Sequence, residues 1–177
     1  WFGKDGNSFP AVKQFLSDVT GRRPSSLLMY EDYGHTDMAK KDLIKLFKDL
    51  ENVPFDTPKP VKLIKMLSII GSDKEDIVLD FFSGSATTAQ AIMELNEETQ
   101  SNRKFILVQM PEIIDDNPGA IKIGLNNIAE VGKERIRRAG KTIKEENPLT
   151  AQDLDTGFRV FKCDSSNYKD VAFAPKD

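Results

Sequence analysis

Cysteine is almost missing from this chain of 177 residues: Cys163 stands alone, which excludes an internal disulfide and a thiolate metal cluster. Histidine is as scarce. With His35 the single imidazole, a protein-bound zinc site is not expected, and a lone histidine in a turn, with nothing near it in sequence to orient the ring, reads as structural. No apolar run approaches the roughly 20 residues that cross a bilayer, and the first residues lack the pattern of a secretory signal, so a cytoplasmic protein is expected. An excess of positive charge is absent too: 25 Lys and Arg against 28 Asp and Glu leave a net charge of −3 and a pI of about 5.3. The whole chain therefore has no pull on phosphates, and any contact with nucleic acid has to come from a local patch. No internal repeat or low-complexity tract occurs, and no two prolines are adjacent.

What is present is ordinary globular material, 39% hydrophobic and 30% charged, long enough for one well-buried core or one domain with an appendage. The stretch around which the rest is organised runs from Ile77 to Leu95, IVLDFFSGSATTAQAIMEL. Ile77, Val78 and Leu79 read as a strand ending at Asp80, Phe81 and Phe82. Ser83 to Ala86 form a loop of small residues, and helix formers begin at Thr87. A helix start directs its backbone N–H groups at such a loop, and small side chains let a ligand with an acceptor group approach closely. Two familiar loops are excluded. A nucleoside-triphosphate loop needs Lys before Ser or Thr, whereas Thr87 and Thr88 follow Ala86, and a dinucleotide loop needs three glycines where only Gly84 stands. Asp80, at the carboxyl end of its strand, suits a cationic amino group. Phe81 and Phe82 divide between stacking on an adenine and filling the core, in an order the residues leave open.

The acidic-aromatic strand end followed by G-S-x-T-T resembles the S-adenosylmethionine-binding motif of DNA amino-methyltransferases. Downstream, NRKFILVQMPE (Asn102 to Glu112) resembles the second strand of that fold. Upstream, FDTPKPVKLIKMLSI (Phe55 to Ile69) resembles the family's lysine-proline element, in the order of its beta-type members. Nearly the whole chain is similar to the C-terminal part of the modification subunit of type III restriction-modification systems, through WFGKDGNSFPAVKQFLSDV, YGHTDMAKKDLIKLF, ERIRRAG and DTGFRVFKCDSSN as well. The resemblance implies an α/β, Rossmann-like S-adenosylmethionine-dependent methyltransferase fold with an open doubly wound sheet, here incomplete. It implies methyl transfer from S-adenosylmethionine to adenine N6 in DNA, with DNA, a second modification subunit and a restriction subunit as partners. Cofactor contacts are expected from Thr57, Lys59 and Pro60, where the lysine would meet the cofactor's carboxylate, and from Asp80, Phe81, Phe82, Gly84, Ser85, Thr87 and Thr88. Gln109 stands at the end of the second strand, where such folds hold the ribose hydroxyls, commonly through an acid. An amide keeps the hydrogen bond and loses the charge.

Two departures qualify the resemblance. The family's acceptor clamp contains two successive prolines and an aromatic, and none is present, so no catalytic residue is assigned and the chain is expected to be an inactive fragment on its own. Ala86 stands where family members usually have glycine: a positive φ would strain it and weaken the site, whereas a place inside the helix start would be harmless. The competing readings are a noncatalytic interaction module with a decayed loop and a methyltransferase acting on something other than DNA.

Three regions are expected: residues 1–52 as the end of a target-recognition or connecting region, 53–146 as the cofactor-binding half, and 147–177 as a C-terminal strand and tail. A helix from Pro10 to Val19 would share Val12, Phe15, Leu16 and Val19 on one face, and Arg22 and Arg23 sit on a loop, solvated or meeting phosphates. A second helix, capped by Thr36 or Asp37, sends Leu43, Phe47 and Leu50 inward and leaves Lys40, Lys41, Lys45 and Lys48 wet. Pro54, Pro58 and Pro60 keep the chain extended before a helix over Val61 to Ile70, with Leu63, Ile64, Leu67 and Ile70 inward. The helix from Thr87 packs Ala91, Ile92 and Leu95 on the sheet and ends before a loop over 96–102, and Phe105 to Val108 is the second strand. A helical stripe runs from Ala120 to Glu145, with Lys133, Arg135, Arg137, Arg138 and Lys141 on the other faces, a solvated surface or a contact for DNA or a subunit. Phe158, Val160 and Phe161 alternate as a last strand.

Overall fold

A computed structural model describes residues 24–52 and 55–164, so the helix expected over 10–19, Arg22 and Arg23, Pro54 and the tail beyond 164 lie outside the described residues. Along the chain come α1 (Tyr30–Tyr33), α2 (Thr36–Leu46), α3 (Val61–Gly71), β1 (Ile77–Asp80), α4 (Thr87–Thr99), β2 (Lys104–Leu107), α5 (Pro118–Lys122) and α6 (Ile128–Glu146). The class is α/β. β1 and β2 pair in parallel, Ile77 opposite Lys104 and Asp80 opposite Leu107, with α4 as the crossover that parallel strands require. The second strand is Lys104–Leu107, one residue earlier than expected, and one further bond follows it, from the Val108 N–H to the Asp80 carbonyl at 2.8 Å.

α4 is the central element. Ala89, Ala91, Ile92, Met93 and Leu95 are all buried, because α3 packs on one flank and α6 on another. One core joins α4 to α6 through Ala86, Ala89, Met93, Ile136, Ala139 and Ile143, with Phe105 and Leu107 reaching it from β2. A second ties α2 to the later chain through Leu43, Phe47, Ile114, Ala120, Leu125 and Val131. Among the described residues, no helix is long and apolar enough to cross a membrane.

Several boundaries differ from the sequence reading, each for a visible reason. α4 runs to Thr99 instead of stopping before Asn96: the Asn96 amide is buried, accepts the Arg103 N–H at 3.0 Å and donates to the Arg103 carbonyl at 2.8 Å, which fastens the last turn to the start of β2. α2 has His35 at its N-cap position with no side-chain bond, and Thr36 is its first helical residue. The long stripe after Ala120 is two helices. Gly124 turns left-handed at φ 87°, and Asn127 opens α6 by accepting the Glu130 N–H at 3.0 Å. No strand forms at 157–163. That stretch is unpaired, and Leu154, Thr156 and Phe158 turn toward α6 while Val160 and Phe161 are exposed. On α3 the buried side chain is Ser68, and Leu67 and Ile70 face outward, because the flank that meets α4 carries Lys65, paired with Glu94 and Glu98.

Candidate functional site

The carboxyl end of β1 delivers Asp80 into a tight turn that its own side chain organises. Phe82 N–H donates to one carboxylate oxygen at 3.1 Å, and the Thr88 hydroxyl donates to the other at 2.6 Å, tying the strand end to the first turn of α4. Between them the backbone turns twice into the left-handed region, at Gly84 (φ 51°) and Ala86 (φ 60°). For Gly84 the conformation suits the residue, and the Phe55 ring lies so close that an added Cβ would stand 3.0 Å from its Cζ. For Ala86 it does not, so the strained alternative left open by the sequence is the one the fold adopts. Ala86 N–H donates to the Ser83 carbonyl at 2.8 Å, and Ser83 N–H donates to the Val108 carbonyl at 3.2 Å, closing the turn onto β2. Ala86 is also the N-cap of α4. It has no side-chain oxygen to offer, so no side chain at that position caps the first-turn N–H groups.

The loop is braced from beneath by a residue the sequence reading put on an outer face. Arg135 of α6 is only 1% exposed, and its guanidinium donates to Ser85 Oγ at 2.9 Å, Thr87 Oγ1 at 2.7 Å and Gln90 Oε1 at 2.9 Å. Its hydrogen-bond acceptors are neutral, and burial lowers its pKa to about 10, with the nearby charges of Glu94 and Asp42 opposing the shift. The signal for this was helical position: Arg135 lies between Gly132 and Ile136 on the stripe that continues to Ala139 and Ile143, all buried. The rest of the expected basic cluster is neutralised in place. Lys133 pairs with Glu130, Arg137 with Glu134 and Lys141 with Glu145, while Arg138 is shared by Glu134 and Asp49 and stacks on the Phe47 ring. That cluster was the one basic patch expected from the sequence.

The remaining expected site residues fall as follows. Asp80, Gly84, Ser85, Thr87, Thr88 and Gln109 are brought together, since the Gly84 N–H donates to Gln109 Oε1 at 2.7 Å while the other end of that amide donates to the Met110 carbonyl at 3.1 Å. Gln109 thus fastens the glycine turn. Phe81 and Phe82 meet each other in a tilted pair with centroids 5.2 Å apart and are 61% and 83% exposed, so neither fills the core as one of them was expected to. Upstream, Thr57 and Lys59 are exposed and Pro60 is buried against Gly34, whose added Cβ would stand 3.1 Å from the proline ring. A cleft of about 370 Å³ runs along β1 and α3. It shares only Asp80 and Thr88 with the expected site residues, and its other walls include Ile64, Leu67, Ile77 and Leu79.

A parallel β-α-β unit with an acid at the end of the first strand and a left-handed glycine turn before the crossover helix is an α/β arrangement of the kind in which ligands bind at the carboxyl edge of the sheet. The chain belongs to the DNA methylase family, whose model matches residues 1–128. It is similar to three Mod subunits of type III restriction-modification enzymes: 38% identical to that of StyLTI from Salmonella typhimurium over 92% of this chain, 34% to that of EcoP15I from Escherichia coli over 91%, and 35% to that of EcoPI from Escherichia phage P1 over 89%. It spans about a quarter of the length of these relatives, between 22% and 24%.

Proposed function

We propose that this chain is the cofactor-binding portion of a site-specific DNA methyltransferase of the adenine-N6 kind, acting in the cytoplasm within a type III restriction-modification assembly. S-adenosylmethionine is the methyl donor on this reading, and β1, α4 and β2 belong to the Rossmann-like, doubly wound sheet of methyltransferases that use it. The observation that carries the proposal is the turn from Asp80 to Thr88 in a chain of the DNA methylase family: a carboxylate at a strand end, a left-handed glycine and uncapped first-turn amides.

The residues present fit that cofactor. Asp80 is half-buried with both oxygens held by neutral donors, which leaves its charge for an ammonium group. The buried α4 start places its positive dipole end behind the glycine turn, which favours an acceptor group there, and Ser85, Thr87 and Thr88 keep the turn in shape from below. Exposed Phe81 and Phe82 present flat faces to an adenine ring. Thr57 and exposed Lys59 complete the upstream side, Lys59 as the counter-charge to a carboxylate, with Pro60 anchoring the backbone between them and α3. Gln109 keeps a lone pair for a ribose hydroxyl beside the bond it already accepts. When bound, the cofactor supplies an activated methyl group, and the work of these side chains is to hold and orient it.

Transfer to adenine also needs a clamp on the flipped base, and on this reading that clamp, the DNA contacts and the joints to a second modification subunit and the restriction subunit lie outside residues 53–146. Residues 1–52 serve as the connecting region and 147–177 as the C-terminal appendage. Titration calorimetry with S-adenosylmethionine and its demethylated product tests the reading. Saturable binding is expected, weakened about tenfold or more in Asp80→Ala, which removes a charge-assisted contact, with no methyl transfer to adenine-containing duplex by the chain alone. Absence of heat with both ligands would favour instead a noncatalytic module whose loop has decayed at Ala86.

A further inference from the structure

The loop that the proposed cofactor would occupy is held by a distant residue as well as by its own hydrogen bonds. Ser85 and Thr87, on either side of the left-handed Ala86, spend their hydroxyls on a single guanidinium that arrives from α6, far along the chain. The same helix supplies Gly132 one turn earlier, where an added Cβ would stand 3.3 Å from the Ala86 methyl and 3.4 Å from the Gly84 carbonyl oxygen. The neighbouring elements give Arg135 no carboxylate to bond: Gln90 from α4 accepts its Nε–H at 2.9 Å, and Glu94 and Asp42 act only through their fields. A buried cation held by three neutral side chains is a costly arrangement if packing is all it provides, because an apolar side chain would fill the same volume without desolvating a charge. The guanidinium does something an apolar side chain cannot: with its Nε–H held by Gln90, its single Nη1 donates to both hydroxyls. It fixes two hydroxyls one residue to each side of a strained turn and so sets the direction of the N–H groups between and after them.

We infer that Arg135 is a positioning residue for the cofactor loop, holding Ser85 and Thr87 so that the turn at Ala86 keeps the shape the ligand needs; this rests on the reading of the site given above. Arg135 touches no ligand itself. Its effect is exerted through the loop and should appear in affinity out of proportion to any loss of stability.

The experiment compares the unaltered chain with Arg135→Met, Arg135→Lys and a core control, Ile143→Ala, by calorimetric titration with S-adenosylhomocysteine at a temperature where all four are folded. Amide hydrogen exchange is read in parallel over residues 84–88. Arg135→Met is expected to bind about tenfold more weakly, as two lost side-chain contacts to the loop would produce. Arg135→Lys, which keeps the charge but loses the Nε–H bond to Gln90 that aims the donor, falls between, and Ile143→Ala keeps the original affinity despite a lower melting temperature. Exchange over 84–88 should quicken in both Arg135 variants, with the centres of β1 and α6 unchanged. If Arg135→Met does not fold, the Lys variant carries both readouts. Unchanged affinity and loop protection in the Arg135 variants, or an equal loss of affinity in Ile143→Ala, would overturn the inference and leave the site reading standing. No binding by the unaltered chain overturns the site reading, and this inference with it.

Discussion

At φ 60° Ala86 holds a backbone conformation that costs an L residue roughly 1–2 kcal/mol, while burial of its methyl, 2% exposed, returns about 0.8 kcal/mol. The two nearly offset, so Ala86→Gly is expected to stabilise the chain by only about 0.5 kcal/mol. Gly132→Ala is the more telling change. Helix propensity favours it by about 1 kcal/mol, but the new methyl would lie 3.3 Å from that of Ala86 and 3.4 Å from the Gly84 oxygen, so a net loss is expected. Combining the two removes the opposing methyl, and the double variant should recover about 1 kcal/mol relative to the sum of the single changes. Urea denaturation of the four proteins measures that coupling; additivity within about 0.3 kcal/mol would show that the two methyls do not oppose each other. The sequence displayed Ala86 in a glycine's place and could go no further, because its conformation is decided by Gly132 and Arg135 on a helix much later in the chain. The places of Asp80 at the strand end and Gly84 in the turn, which depend on immediate neighbours, were legible; the exposure of Phe81 and Phe82 was not, since a side chain's surroundings are a property of the packed molecule.

α6 joins two parts of the fold with residues one turn apart, Arg135 toward the loop and Arg138 toward α2. Arg138 donates to the Leu46 carbonyl at 3.1 Å, grips both oxygens of Asp49 and lies over the Phe47 ring, so it closes the C-terminal end of α2. Chiefly through its hydrogen bond, Arg138 holds the Asp49 carboxyl below its usual range. A carboxyl whose folded pKa is depressed contributes stability above its unfolded pKa and loses it as the pH falls through the lower folded value. The pair is half open to solvent, which limits it to about 1 kcal/mol or less, screened by salt. Asp49→Asn should therefore lower stability modestly at neutral pH and not at all once the pH is below the folded value. Chemical denaturation of both proteins across the acid range checks this, and a difference that persists undiminished at the acid end would show that the carboxylate's charge is not the source. Element existence and type were readable wherever periodicity was strong, as in α2, α3, α4 and β1. Periodicity misled where it continued across a break: the stripe after Ala120 passes through Gly124 and Asn127, whose turn and cap divide it, and the alternation at Phe158 and Val160 found no partner strand.

Across the molecule, among the described residues, the two strands are covered on one face only. Phe105 and Leu107 turn toward the α4 and α6 core, while Ile77, Leu79 and Ile106, which share the opposite face, are open, as are Leu67, Ile69 and Ile70 on α3. Parallel sheets are stable when both faces are packed, and their apolar strands read in sequence as buried throughout. This is why α3 was expected to turn Leu67 and Ile70 inward: local pattern reports that a residue is apolar and says nothing of whether its cover is at hand. An apolar face beside a β1 edge with no partner among the described residues is a surface on which copies of the chain can associate. Leu79 and Ile106 stand opposite each other at its centre, 57% and 51% exposed, so replacing both with lysine puts two charges where a second molecule would have to bury them and disturbs no contact of the packed core. The unaltered chain is expected to show a mass that rises with concentration in light scattering behind size exclusion. Leu79→Lys with Ile106→Lys should hold the mass at one chain over the same range, with a melting temperature within about 4 °C of the original, the shift that roughly 1–2 kcal/mol would give at this chain length. A mass independent of concentration in the unaltered chain would mean that the open face is too narrow or too well hydrated to drive association, whereas unchanged association in the double variant would move the contact to another surface, with the acidic groove between α4 and α6 next to be tried.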